Sequence, residues 1–91
     1  MSIKVCTQDP LRKLLDNEPE VVVSGTTVHE AFKALQVRYP RFVERMLERD
    51  GSVRRSVNVY VNEEDIRFLQ NQATPLKDGD EISIIPALAG G

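Results

Sequence analysis

The sequence contains very few of the residues that build disulfides, zinc sites and nucleobase-stacking surfaces. It has one cysteine and one histidine among 91 residues, and it has no tryptophan. A single cysteine cannot form an internal disulfide, which fits a reducing compartment. One cysteine and one histidine also argue against a zinc site of the usual composition and against a Cys–His catalytic pair. Aromatic residues make up 5% of the chain, which argues against a surface that stacks nucleobases.

Excess positive charge and long apolar runs are also missing. The formal net charge is -2, whereas a general nucleic-acid binder usually carries a basic stripe. No apolar run approaches the length of a membrane span, and no charged segment followed by an apolar stretch marks a signal peptide at the N-terminus. We therefore expect a cytoplasmic protein that binds neither nucleic acid nor membrane. The hydrophobic fraction of 41% and charged fraction of 29% are those of one ordinary globular domain.

Apolar and polar alternation, and β-branched residues in EVVVS, predict four strands, which lie in SIKVCTQ, EVVVS, VRRSVNVYVNEED and EISIIPA. In the last strand Ile82 and Ile84 share one face, while Ile85 points to the other. Pro86 ends this strand, because proline cannot donate to a ladder. A shorter apolar piece, IRFL, is predicted as an edge strand, and the Asp-Gly-Asp sequence at 78–80 is predicted as a tight turn.

The stretch TVHEAFKALQVRYP predicts the main helix. Thr27 is the expected N-cap, and Glu30 stands three residues later in the position of a capping box. One apolar stripe on this helix comprises Val28, Ala31, Phe32, Leu35 and Tyr39. Pro40 is expected to end the helix at Tyr39. RFVERMLERDG is predicted to add a second short helical turn, and LRKLLDNEPE remains open between a helical turn and a loop.

These elements follow the order β-β-α-β-(β)-β. We predict an α+β fold in which one main helix covers a mixed sheet of about four to five strands. The first and last strands are expected to lie side by side and parallel, joined by a crossover. This is the β-grasp, or ubiquitin-like, arrangement. We assign residues 1–86 to the β-grasp domain and residues 87–91 to a C-terminal tail.

The sequence ends in Gly90-Gly91, and this ending can serve as a chemical device. A terminal carboxylate, with a pKa near 3.5, is ionised at pH 7 and can attack the α-phosphate of ATP. From Pro86 to Gly91 an extended chain spans roughly 20 Å at about 3.3 Å per residue, and glycines without Cβ atoms pass through a narrow channel. Ala87 and Ala89 keep the tail slim, while Leu88 offers an apolar handle. The chain has no phosphate-binding loop, so we expect it to be a substrate of ATP chemistry rather than the ATP-binding enzyme.

The second half of the chain resembles the MoaD/ThiS family of sulfur carriers, which are ubiquitin-like proteins that end in Gly-Gly. The resemblance rests on VNVYVNEEDIRF followed by TPLKDGDEISIIPALAGG, and the first half matches only in the layout of its elements. The combination of YVNEEDIRF with PALAGG is most similar to carriers that supply a PLP-dependent cysteine synthase. Molybdopterin-type carriers usually have a second proline where Ala87 stands here.

The resemblance implies that the protein is a cosubstrate and not an enzyme, and that it binds no cofactor itself. An E1-like enzyme would adenylate Gly91 with ATP, and a sulfur donor would then leave a thiocarboxylate there. The acceptor would be a cysteine synthase-like enzyme, in which PLP is possible, or the large subunit of molybdopterin synthase. Thiazole formation and tRNA thiolation are further destinations. Two alternatives stay open: a ubiquitin-like modifier joined to lysines through Gly91, and a non-covalent β-grasp binding module with incidental terminal glycines.

The outer face of the sheet is the expected docking surface for the activating enzyme and the acceptor. Pro86, Ile85, Tyr60 and Phe68 are the residues we assign to it, because an exposed apolar patch marks an interface.

Other reactive side chains have simpler explanations. Cys6 is expected to fill space in a strand, and His29 is expected to be a solvated residue of the first helical turn. The Glu63–Asp65 carboxylates lack the spacing of a calcium loop. The basic residues around Arg54 and Arg55 are expected to form a solvated face, or to steer association with an acidic partner.

Overall fold

A mixed five-stranded sheet with two α-helices on its buried face organises the fold. The structure is a computed structural model, and it describes residues 1–86. The strands and helices in chain order are β1 (Ser2–Thr7), β2 (Glu20–Ser24), α1 (Val28–Arg38), α2 (Pro40–Met46), β3 (Val57–Val61), β4 (Glu64–Asp65) and β5 (Glu81–Pro86). Three short 3₁₀ helices cover Leu11–Leu15, Ile66–Phe68 and Asn71–Ala73.

The strand order across the sheet is β2-β1-β5-β3-β4. β1 and β5 are parallel neighbours, and β1–β2, β5–β3 and β3–β4 are antiparallel pairs. The predicted parallel pairing of the first and last strands is therefore confirmed. Its consequence is that β5, the strand that leads to the C-terminal tail, is the central strand of the sheet.

The core lies between the inner face of the sheet and the two α-helices. Alternate residues of every long strand are buried there, as the sequence pattern predicts; in β5 these are Ile82 and Ile84, both with 0% exposure. Phe42 of α2 is also fully buried. Burial of this apolar surface is the main contribution to stability.

The start of α1 follows the predicted capping pattern with one difference. The N–H of Glu30 donates to the hydroxyl of Thr27 at 3.1 Å, which satisfies one free donor of the first turn. The carboxylate of Glu30 accepts from the N–H of Thr26 at 2.8 Å, one residue earlier than a standard capping box. The helix ends at Arg38, with Tyr39 as the C-cap before Pro40, as the proline predicts.

One local expectation is wrong, and the structure settles the others. The segment IRFL is not an edge strand: Ile66–Phe68 forms a 3₁₀ helix, and the edge strand β4 has only two residues. The second short helical turn predicted over RFVERMLERDG forms as the helix α2, which begins at Pro40, ends at Met46 and buries its apolar side. Tyr39 is half-buried: it is the C-cap of the helix α1, and it still packs against the core as the predicted stripe requires. The open segment after Pro10 forms the 3₁₀ helix Leu11–Leu15.

Gly25 allows α1 to approach the end of β2 closely. A Cβ atom at this position would lie 2.8 Å from the backbone nitrogen of Ala31 and 3.2 Å from its Cα. The 2.8 Å distance is shorter than real Cβ atoms show, and the opposing atoms are backbone atoms that cannot rotate away. A glycine is therefore required for the contact between the strand and the helix.

Candidate functional site

The C-terminal tail begins at the end of the central strand. Pro86 is paired with Val57, the first residue of β3. The chain before Val57 makes a turn in which the N–H of Val57 donates to the C=O of Arg54 at 3.0 Å. The root of the tail is thus fixed against β3, beside the Arg54–Ser56 turn. The predicted tail residues Ala87, Leu88, Ala89, Gly90 and Gly91 lie outside the described residues, so their roles remain predictions.

Two of the four predicted docking residues are neighbours on the outer face of the sheet. The register places Tyr60 opposite Ser83 and Asn58 opposite Ile85. Tyr60 and Ile85 are therefore diagonal neighbours, a relation that separates Cα atoms by about 7–8 Å. Both side chains are half-buried, so they offer apolar surface close to the root of the tail at Pro86.

Phe68 is not part of the sheet. It lies in the 3₁₀ helix that follows β4, and 85% of its surface is exposed. The sequence indicated an apolar surface residue here, and the exposure agrees with that. Its place in an edge strand, on which the predicted patch depended, is wrong.

An ion pair that the sequence did not predict lies beside Tyr60. Arg67 contacts the carboxylate of Asp65 at 2.6 Å and donates to the amide oxygen of Asn58 at 3.4 Å. The hydrogen bond from the Arg67 side chain holds the pKa of Asp65 below its ordinary value. Asp65 is the register partner of Tyr60. The outer face at this point therefore combines an aromatic ring with a fixed pair of charges, and the Asp-x-Arg spacing is the one signal of it in the sequence.

The Asn and Asp-Gly-Asp turns of the family resemblance lie at the opposite end of β5. Asn62 donates to the carboxylate of Asp80 at 2.9 Å and accepts from the N–H of Glu81 at 3.0 Å. Asp78 accepts from the N–H of Ser2 at 2.7 Å. β5 has six residues, or a length of roughly 17–20 Å, so these turns cannot reach the chemistry of the tail. Their role is to join the ends of β1, β3 and β5.

The remaining reactive side chains have structural surroundings. Cys6 is half-buried on the outer face, with its sulfur 3.5 Å from the hydroxyl oxygen of Ser83. His29 is exposed and its Nδ1 lies 3.4 Å from the amide oxygen of Gln72. Within residues 1–86, the His, Cys, Asp and Glu side chains form no group of three that could hold a metal ion. The helices of that same part of the chain are all too short or too polar to span a membrane.

Comparisons with known proteins agree with this geometry. A model of the ThiS family matches residues 9–91. The sulfur carrier protein CysO of Mycobacterium tuberculosis is 37% identical over 93 residues, with all of both chains covered. Small archaeal modifier protein 3 of Haloferax volcanii is 38% identical over 70 residues, covering 77% of this chain and 75% of the relative.

Solved structures show the same fold. A chain of the crystal structure of the Amycolatopsis orientalis BexX/CysO complex superposes with a TM-score of 0.89 at 35% identity, covering 98% of this chain and 99% of that chain. The predicted β-grasp fold and the predicted resemblance to the MoaD/ThiS carriers are both confirmed. Because the family model matches residues 9–91 and a relative is 37% identical over both full chains, the chain belongs to the ThiS family.

Proposed function

We propose that this protein carries sulfur as a thiocarboxylate on the C-terminal carbon of Gly91. The observation that carries the proposal is the position of Pro86, which starts a Gly-Gly tail at the end of the central strand of a ThiS-family domain. The full-length match to relatives named sulfur carriers supports it. The protein is then a cosubstrate, and the catalytic groups belong to its partners.

The first step is the activation of Gly91 by ATP. The carboxylate oxygen attacks the α-phosphate, pyrophosphate leaves, and an acyl-adenylate forms. An E1-like enzyme supplies the nucleotide pocket, because this chain has no phosphate-binding loop. The six residues from Pro86 to Gly91 reach roughly 20 Å when extended at about 3.3 Å per residue, a length sufficient to enter a pocket beneath the partner's surface.

The second step replaces the adenylate by sulfur. Hydrosulfide attacks the carbonyl carbon of Gly91 and AMP leaves, which gives the thiocarboxylate directly. If the donor is a protein persulfide, its terminal sulfur attacks, and a thiol must then reduce the resulting acyl disulfide. Glycine at 90 and 91 leaves the carbonyl carbon open to either nucleophile, because neither residue carries a Cβ.

The outer face of the sheet is the proposed docking surface for both partners. Tyr60 and Ile85 lie together next to Pro86, and Phe68 adds exposed apolar surface from the 3₁₀ helix after β4. An aromatic ring and an aliphatic side chain at the centre of a patch are typical anchors of protein–protein interfaces. The relative in the Amycolatopsis structure was crystallised in a complex, which supports the general expectation of a partner.

We propose cysteine formation as the first destination of the sulfur and molybdopterin formation as the second. The tail PALAGG has Ala87 where molybdopterin carriers usually have proline, and CysO proteins are among the relatives that match over their full length, at 37% identity. A PLP-dependent, cysteine synthase-like acceptor fits this assignment. Under the second assignment the acceptor is the large subunit of a molybdopterin synthase.

A modifier function is the second candidate, because some of the similar proteins are named small archaeal modifier proteins. The chemistry is shared as far as the adenylate. A lysine amine then replaces sulfur as the nucleophile, and an isopeptide bond joins Gly91 to the target protein.

Intact mass spectrometry tests the proposal. The protein is incubated with a cognate E1-like enzyme, ATP and a sulfide donor, and the C-terminal peptide is sequenced. A mass increase equal to the difference between sulfur and oxygen, placed on Gly91, is the expected result. If isopeptides of Gly91 are found and no thiocarboxylate is found, the carrier function is rejected and the modifier function is supported. The activating enzyme is first shown to be competent on another carrier. If this chain then stays unmodified, both the carrier function and the modifier function are rejected.

A further inference from the structure

The edge strand β4 stops before it covers β3. β4 pairs only with Tyr60 and Val61, after which the chain enters the 3₁₀ helix Ile66–Phe68. Within residues 1–86, the first three residues of β3 therefore have a partner strand on the β5 side alone. This is the open half of a sheet edge, and such an edge is a template for another strand.

The direction of the free polar groups follows from the register. The N–H of Asn62 donates to the C=O of Glu81 at 2.9 Å, so this pair is one of the hydrogen-bonded pairs that alternate along an antiparallel ladder. Because the direction repeats every second residue, the N–H and C=O groups of Tyr60 and Asn58 also point toward β5. Val59 directs its N–H and C=O the other way, into the space that β4 leaves open.

That space is a groove with an apolar floor and a basic rim. The cavity has a volume of about 340 Å³, and its apolar lining includes Val57, Val59 and Ile66. Arg54, Arg55 and Arg67 also line it, against one carboxylate, that of Asp65. The charged lining thus sums to +2 (three arginines less one aspartate), although the whole chain has a net charge of -2.

Two arginines of the rim have side-chain N–H groups without hydrogen-bond partners among the described residues. The Nε of Arg54 is buried and has no hydrogen-bond partner among the described residues, although its terminal nitrogens bind Glu48 and the C=O of Glu44 at 3.2 Å. Arg55 is exposed and makes no hydrogen bond or ion pair within residues 1–86. A buried donor without a partner in the protein is costly, and a water molecule or a ligand atom can satisfy it.

We propose that this groove binds an extended, carboxylate-bearing segment of a partner protein, which adds to the open edge of β3 as a further strand. Main-chain hydrogen bonds to Val59 supply the register, and the arginine rim selects acidic side chains. The segment would continue the line of β4 toward Arg54. This proposal does not depend on the sulfur chemistry, because it does not use Gly91. The groove adjoins the outer face, since Asn58, the register partner of Ile85, also lines it.

A synthetic strand peptide tests the proposal on the full chain. The probe is acetyl-Thr-Glu-Val-Glu-Val-Thr-amide, and the same peptide with lysines in place of the glutamates is its control. We expect chemical-shift changes in the ¹⁵N-labelled protein centred on Val57–Val59 and Asn71, and at least tenfold slower hydrogen exchange at the amide of Val59. The lysine peptide is expected to bind at least tenfold more weakly. No shift at this edge, or equal binding of the two peptides, would overturn the proposal.

Two charge-reversal variants distinguish binding in the groove from nonspecific electrostatic attraction of the peptide. Arg55→Glu is expected to weaken binding of the glutamate peptide by about five- to tenfold, whereas Arg49→Glu, at an exposed arginine outside the groove, changes it less than twofold. Thermal melts check that both variants fold. Equal losses in the two variants would mean nonspecific attraction and reject the site. If the amide of Val59 is protected without peptide and loses protection when residues 87–91 are deleted, the occupant is this chain's own tail and the partner segment is rejected.

Discussion

The carboxamide of Asn62 joins two turns that are far apart in the sequence. It donates to the Asp80 carboxylate at 2.9 Å and accepts from the N–H of Glu81 at 3.0 Å. Asn62 and Glu63 both have positive φ angles, 47° and 75°, which is the geometry of a two-residue hairpin turn that favours asparagine and glycine. Asn62 therefore serves both the local turn and the long-range connection.

Replacing Asn62 by glycine should separate these two roles. Asn62→Gly keeps the positive φ and removes the side-chain hydrogen bonds, so we expect the free energy of unfolding to fall by about 1 kcal/mol. Thermal denaturation should show this as a decrease in Tm of about 4–8 °C. Glu63→Gly is the matched control, because it makes the same change at the other positive-φ position and is expected to be neutral or slightly stabilising. Equal effects of the two substitutions would contradict the connecting role of the carboxamide.

A methyl group at Gly25 should force β2 and α1 apart. The added Cβ would lie 2.8 Å from the backbone nitrogen of Ala31, so we expect Gly25→Ala to lower the free energy of unfolding by about 1–3 kcal/mol. Chemical denaturation measures the change. Ser24→Ala, at an exposed neighbouring position of β2, should have an effect below about 0.5 kcal/mol. A stable Gly25→Ala variant would mean that the strand and helix are not in close contact.

Changes at the C-terminus should stop activation without affecting the fold. Gly90→Val adds a branched side chain to a tail that must pass through a narrow channel, and one residue added after Gly91 moves the carboxylate. We expect neither variant to form an adenylate, as measured by ATP–pyrophosphate exchange with the E1-like enzyme, and both to melt like the unmodified protein. The same residue added before Met1 is the control and should be neutral. Normal exchange with either C-terminal variant would refute the role of Gly91.

A charge introduced on the outer face should weaken docking of the activating enzyme when it lies near the root of the tail, and should have little effect elsewhere on that face. Ile85→Lys is expected to lower kcat/KM of the activating enzyme at least tenfold, because it places a charge at the centre of the proposed interface. Val22→Lys is the matched control: Val22 is 50% exposed on the outlying strand β2, and its change should have little effect. If Val22→Lys is the more harmful of the two, the docking surface lies toward β2 instead.

Stability should decrease in acid below about pH 4. Hydrogen bonds hold the pKa of Asp80, Asp65, Asp50 and Glu30 below their ordinary values of 3.8 for Asp and 4.5 for Glu. For Asp80 the main cause is the N–H of Lys77, followed by the amide of Asn62. A carboxyl with a lowered folded-state pKa stabilises the protein above its unfolded pKa, and this contribution disappears as the pH falls through the folded value.

Thermal melts between pH 7 and pH 2 measure this dependence. Asp80→Asn is expected to reduce the difference in Tm between pH 7 and pH 2, because the variant has one fewer group to protonate. An unchanged difference would show that the Asp80 bonds do not contribute to the pH dependence.

Local patterns in the sequence predicted the elements with strong periodicity or strong caps. The valines of β3 alternate strictly, and Thr27, Glu30 and Pro40 mark both ends of α1, so these elements form where the pattern places them. The strand prediction for IRFL failed because a four-residue piece with three apolar residues is too short for periodicity to distinguish a strand from a 3₁₀ turn. The Asp65 side chain decided between them, since it accepts a hydrogen bond from the N–H of Arg67 at 2.8 Å and caps the short helix.

The sequence by itself thus determined the strands, the capped helix and the glycine ending that directs attention to Gly91. Only the tertiary structure decided which residues surround the root of the tail. Pairing of Pro86 with Val57, 29 positions earlier by number, and the ion pair beside Tyr60 depend on strand order. The open edge of β3 depends on where β4 stops. Strand order and edge coverage result from contacts between residues distant in the chain, and such contacts leave no periodic trace in the sequence of either partner.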